Sequence, residues 1–95
     1  MTLTLKSKNN AINKIPSALH INNTGRIQSV NKKDNKLFYN LIKRFGKITG
    51  VNALINTSFN TRGEPIVCTP QDAYSCFKKS GMDYLVIGNF LVSKQ

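Results

Sequence analysis

The residues best suited to chemistry lie together between Asn56 and Val67. Asn56-Thr57-Ser58-Phe59-Asn60 continues through Arg62-Gly63-Glu64-Pro65 to Ile66-Val67. The stretch gathers two amides, three hydroxyls, a glycine and one forked cation. The apolar run Val51–Ile55 precedes it and a short apolar exit follows. Amides and hydroxyls both donate and accept, a guanidinium donates as a fork, and backbone N–H groups in a tight turn can cradle an anion. A loop of this kind at the end of a strand is what an anion or nucleotide needs. The same residue types are ordinary turn formers, so composition alone also leaves a plain surface turn open.

A second candidate is Arg26, on the alternating stretch Arg26-Ile27-Gln28-Ser29-Val30. A planar fork on a strand suits bidentate phosphate recognition, and an exposed strand cation is the bland alternative. His20 precedes it, and a lone histidine on a strand is expected to be packed and hydrogen-bonded rather than catalytic. Glu64 is one of four acids, and a loop salt bridge with Arg62 and a catalytic role are both open to it.

The elements that must position these groups follow from pattern. Met1–Lys14 is polar and without sustained period: a frayed start, a linker, or a strand lacking partners. Ala18–Ile21, the turn Asn22-Asn23-Thr24-Gly25 and Arg26–Val30 predict a hairpin over 18–30. Asp34 is placed to cap a helix starting near Asn35. Leu37, Phe38, Leu41, Ile42, Phe45 and Ile48 form one stripe of that helix, and Lys36, Asn40, Lys43, Arg44 and Lys47 the other. It is expected to pack on a sheet and to end at Gly46 or Gly50. Val51–Ile55 predicts a third strand and Pro65–Cys68 a short return strand. Thr69-Pro70-Gln71-Asp72 opens a second helix that stops at Gly81. Tyr84–Ile87, Gly88-Asn89 and Phe90–Val92 predict a final hairpin. The class is α/β: a small mixed sheet with two helices.

The whole chain sets bounds. Ninety-five residues make one small domain or part of one, with a thin core. A hydrophobic content of 40% is too high for a disordered chain. No apolar run approaches the roughly 20 residues of a membrane span, and the start lacks the apolar segment of a signal peptide, so the expected location is cytoplasmic. Cys68 and Cys76 are expected to be reduced, partly buried thiols, and no ligand set for a metal is apparent. The formal charge of +10 favours anionic partners such as nucleotides, phosphorylated metabolites or nucleic acid. Eleven lysines and twelve asparagines also suit an AT-rich coding sequence, which weakens the charge as a sign of nucleic-acid binding.

Taken in order, His20-Ile-Asn-Asn-Thr-Gly-Arg26-Ile-Gln28, Asn56-Thr-Ser-Phe-Asn60, Gly63-Glu-Pro-Ile-Val67, Pro70-Gln-Asp-Ala73 and Asp83-Tyr-Leu-Val-Ile-Gly88 resemble one family. It is the C-terminal, YrdC-like region of the NodU/CmcH-type O-carbamoyltransferases. The resemblance runs from about Pro16 to Lys94, which sets 1–15 apart as a polar extension or linker and 16–95 as part of a YrdC-like domain. It implies an enzyme that makes carbamoyl adenylate from carbamoyl phosphate and ATP, then passes the carbamoyl group to a hydroxyl acceptor. It implies that Arg26 contacts ligand phosphate, and that Asn56 and Ser58 contact carbamoyl and phosphate groups. Thr57 and Arg62 are secondary candidates; Thr57 and Asn60 can also serve simply to stabilise the loop. Phe59 is expected to be core. The family's iron site belongs to a larger N-terminal domain, so no metal is expected on this chain.

Departures from the family pattern are equally specific. Asn22 stands where the family carries Asp, which removes a charge, and Asn23 and Gly25 replace Gly and Ala, implying a turn of altered shape. The family's remaining basic ligand residues lie upstream, so the site is expected to need an N-terminal carbamoyltransferase domain or a separate subunit. Three readings stay open: a component of a carbamoyltransferase, a basic RNA- or DNA-binding module, and an inactive relic.

Overall fold

The structure is a computed structural model and describes residues 3–95. The chain divides into two compact units, one ending at Ile55 and one beginning at Asn56. In the first, β1 (Thr4–Lys6) pairs antiparallel with β2 (Thr24–Arg26), placing Leu5 opposite Gly25. The polar start is thus a strand with a partner. The hairpin expected over 18–30 does not form. Pro16 opens a single 3-10 turn, Pro16–Ala18, so the chain before the turn is not extended, and β2 takes its ladder from the N-terminal stretch. A turn is present, but earlier than expected, over residues 21–23: Asn23 is left-handed at φ 60, and the His20 N–H donates to the Thr24 carbonyl at 2.8 Å. Thr24 and Gly25 belong to β2, and Ile27–Val30 is not strand. A one-turn helix, α1 (Asn9–Ile12), lies between the strands in sequence.

Helix α2 (Lys36–Thr49) starts one residue later than expected. Asn35 is its cap, accepting from the Phe38 N–H at 3.0 Å, while Asp34 accepts from Asn31 Nδ2 at 3.0 Å. The helix continues through Gly46 and closes at Gly50, whose φ of 78 is open to glycine and costly to other residues. Its expected packing on a sheet is not realised: among the described residues no strand is packed extensively against it. Phe38, Tyr39 and Ile42 are half-buried, but Leu37 remains 84% and Ile48 78% exposed, and no α2 residue is fully buried. Two three-residue strands offer too little surface to cover the rest of the stripe. The run Val51–Ile55, expected as a strand, has no ladder partner among the described residues. Strand propensity is local, whereas pairing is a tertiary matter, and β1 and β2 pair only with each other.

The second unit has a true core. Helix α3 (Pro70–Lys79) starts with the expected reciprocal cap: Thr69 Oγ1 accepts from the Asp72 N–H at 3.1 Å, and Asp72 Oδ2 from the Thr69 N–H at 3.2 Å. Ala73, Cys76 and Phe77 fall on one face and are buried, with Leu85 of β3 (Tyr84–Ile87). Strand β4 (Phe90–Ser93) pairs antiparallel with β3 across Gly88-Asn89, setting Leu85 against Val92. Lys94 donates to the carbonyl of Ser80, the helix C-cap, and its Nζ lies 5.1 Å above the Phe77 ring. A cation there complements the helix dipole and ties the hairpin to the helix. Pro65–Cys68 is not a strand; it is anchored by the Val67 N–H donating to the Phe59 carbonyl at 2.9 Å. The α/β class therefore holds, with the strands arranged as two antiparallel pairs. No helix among the described residues is long and apolar enough to cross a membrane.

Candidate functional site

The loop from Asn56 to Val67 is organised around Asn60. Its Nδ2 donates to the Glu64 carbonyl at 3.0 Å and to the Thr61 carbonyl at 3.3 Å. Inside that clasp the Glu64 N–H donates to the Thr61 carbonyl at 3.1 Å, with Gly63 at φ 84, the pattern of a type II turn with Arg62-Gly63 at its tip. Glu64 Oε2 accepts from Thr61 Oγ1 at 2.6 Å, so the carboxylate is engaged by a hydroxyl and not by the Arg62 salt bridge that the sequence left open. The shorter reach of threonine, three residues away and facing the acid across the turn, wins over a long exposed side chain that would lose rotamer freedom.

This clasp fixes a polarity. Because Asn60 Nδ2 serves two carbonyls, its Oδ1 faces Ser58, whose Oγ donates to it at 2.7 Å. With its one proton committed, the Ser58 hydroxyl presents lone pairs outward. In this arrangement it can accept from an N–H donor. Ser58, Asn56, Thr57 and Arg62 are all exposed, while Phe59, Asn60 and Thr61 are half-buried beneath them. Phe59 thus underlies the loop without being fully buried. Four of the expected site residues therefore share one exposed loop supported from below.

Arg26 belongs to the other unit, at the end of β2 opposite Thr4, and its side chain is exposed. His20 is exposed rather than packed; it serves the turn through its backbone. Asn22, where the family has an acid, is used locally: its Oδ1 accepts from Thr24 Oγ1 at 2.6 Å and from the Thr24 N–H at 3.2 Å. Cys76 is buried, but Cys68 is exposed, contrary to expectation, with Sγ 3.3 Å from the Ile66 carbonyl. Both are free thiols. Among the described residues no group of three His, Cys, Asp or Glu side chains could hold a metal.

Sequence reasoning gave Asn60 no more than a stabilising part and passed over Thr61. The available signal was an asparagine directly before a Thr-x-Gly-x turn, since asparagine readily satisfies nearby turn backbone.

Comparison with known proteins follows the same residues. The chain matches the Carbamoyltransferase C-terminus family over residues 1–94. An uncharacterized protein of Synechocystis is 50% identical over 80 residues, covering 84% of this chain and 13% of that protein. One from Methanocaldococcus jannaschii is 43% identical over 94 residues, covering 99% of this chain and 18% of its own length. The nodulation protein NolO of Bradyrhizobium diazoefficiens is 40% identical over 83 residues, 87% of this chain and 15% of that protein. The chain spans less than a fifth of each of these relatives. It belongs to the Carbamoyltransferase C-terminus family.

Proposed function

We propose that this chain is part of an O-carbamoyltransferase and contributes to the site that binds carbamoyl phosphate and ATP and forms carbamoyl adenylate, for transfer to a hydroxyl acceptor. The observation that carries this reading is the Asn60 clasp, which holds Ser58 as an acceptor on an exposed loop in a member of the carbamoyltransferase family. A carbamoyl group ends in an NH₂, and a hydroxyl whose proton is directed to Asn60 can accept from it. Asn56 supplies an amide able to donate to the carbamoyl oxygen. Arg26 and Arg62 supply the forks for phosphate oxygens, where charge builds during adenylyl transfer. Thr57 completes the polar rim. The remaining groups come from an N-terminal carbamoyltransferase portion, in the same polypeptide or as a separate subunit, working in the cytoplasm.

Calorimetric titration tests this, with ATP, carbamoyl phosphate and acetyl phosphate as ligands and Asn56→Ala and Ser58→Ala as variants. Acetyl phosphate replaces the NH₂ by a methyl group of nearly the same size. Saturable ATP binding, with carbamoyl phosphate preferred over acetyl phosphate and the preference lost in Ser58→Ala, is the expected result. A folded chain that binds neither ATP nor carbamoyl phosphate sinks the reading of an autonomous ligand site.

A further inference from the structure

The first unit carries an apolar surface that nothing within that unit covers. Among the described residues its only buried one is Gly25, and the four buried apolar residues all belong to the second unit. Along α2, Leu37 is 84%, Ile48 78%, Leu41 55% and Phe45 37% exposed. At 100° per residue these four occupy an arc of about 80°, a continuous stripe. At its lower end Phe45 lines a groove of about 390 Å³ whose other walls include Ile15, Pro16, Leu54 and Ile55. The last two sit in the apolar run that reads as a strand and has no ladder partner among the described residues. One flank of the stripe is basic, with Lys36, Lys43, Arg44 and Lys47 in sequence along the helix.

Helical stripes of this width exist to be buried, and a unit of this size without a buried side chain lacks the usual source of stability. We infer that the α2 stripe, together with the Val51–Ile55 edge, is the surface on which the preceding portion of a carbamoyltransferase docks. Three observations select that occupant. The family matched is defined as a C-terminus, so its members carry a preceding portion. This chain spans only 13–18% of the relatives compared, leaving a large polypeptide to supply the cover. The flank is cationic and the chain carries +10 overall, so the surface fits an apolar patch with an acidic rim and a free strand edge. A second copy of this chain would set like charges against each other. The inference rests on the carbamoyltransferase reading for the identity of the partner, and not on any ligand contact.

Hydroxyl-radical footprinting tests it on three samples: the 95-residue chain, the full-length Synechocystis relative, and that relative with its matching region replaced by this chain. The expected result is rapid oxidation of Leu37, Leu41 and Ile48 in the free chain and loss of that oxidation in the chimera. The aligned positions of the natural relative should be protected too, which keeps the test decisive if the chimera does not accumulate. Leu37→Lys should reduce the soluble yield of the chimera while leaving the circular dichroism of the free chain unchanged, and Leu37→Met should restore the yield. Equal oxidation in free and full-length forms overturns the proposal. So does protection in the free chain: dependent on concentration, it names a second copy as occupant, and independent of it, the chain's own second unit. A protected chimera that binds no ATP would sink the ligand-site reading and leave the docking surface standing; ATP binding with an oxidised stripe does the reverse.

Discussion

Helices α2 and α3 are built from the same local devices and end in opposite situations. Each has a side-chain cap at its start, Asn35 for one and Thr69 for the other, and each has basic residues in its last turn. The longer α2 is more strongly amphipathic to the eye, with six apolar residues at helical spacing, yet none is buried. The shorter α3 buries Ala73, Cys76 and Phe77 against the hairpin that follows it directly in sequence. Capping and periodicity determine where a helix forms; what it packs on depends on whether a partner lies nearby in the chain. For α3 the partner is a four-residue turn and hairpin away. For α2 only short elements, the two strands, the one-turn α1 and a 3-10 turn, are at hand within its own unit among the described residues.

The largest expected effect comes from removing the one fully buried large side chain. Phe77 is 1% exposed, with the Lys94 ammonium over its ring. Phe77→Ala should cost about 3–5 kcal/mol, comparable to the whole stability of a small domain. Thermal unfolding followed by circular dichroism should lose its cooperative transition. If the melt survives with little change, the second unit does not depend on this core, and the contrast between the helices disappears.

The same contrast explains what the sequence could convey. Elements determined by neighbours were legible: the Thr69–Asp72 capping box, the Gly88-Asn89 hairpin turn and, as one of two stops considered, Gly50. Features set by distant pairing were not. Arg26–Val30 alternates as a strand should, but only Arg26 joins a ladder, the one that Thr24–Arg26 makes with Thr4–Lys6, and Ile27–Val30 is not strand. Val51–Ile55 has strand composition and joins neither sheet among the described residues. In the loop, the types and places of Asn56, Thr57, Ser58 and Arg62 were readable, since they stand out in sequence. The direction of the Ser58 proton was not. It depends on which way the Asn60 amide faces, which two carbonyls decide only once the turn is folded.

An intermediate effect should separate the caps by their consequences. Thr69→Ala removes the acceptor for the Asp72 N–H and should cost about 1 kcal/mol. Because α3 is cooperative with β3, that loss should appear as a lower midpoint for the entire second unit. Asn35→Ala removes an equivalent bond to the Phe38 N–H. With no buried residue on α2 to couple it to a core, the loss should appear as fraying of residues 36–39, seen as faster amide exchange there and unchanged exchange in α3. Equal midpoint shifts in the two variants would mean that both helices belong to one cooperative unit.

The smallest expected effect is the most telling for α2. Leu41 is 55% exposed at the centre of the stripe, and leucine and alanine have similar helix propensity. In the free chain Leu41→Ala should therefore change stability by no more than about 0.5 kcal/mol, the range of surface substitutions. A buried leucine in the same kind of helix would cost about 2–5 kcal/mol, so denaturant titration resolves the two cases easily. A near-zero value places the stripe outside the forces that fold the isolated chain, and leaves its apolar character to be explained by a partner. A large value would show that the free chain already buries Leu41 in solution, and α2 would then stand with α3 as a helix held by its own polypeptide.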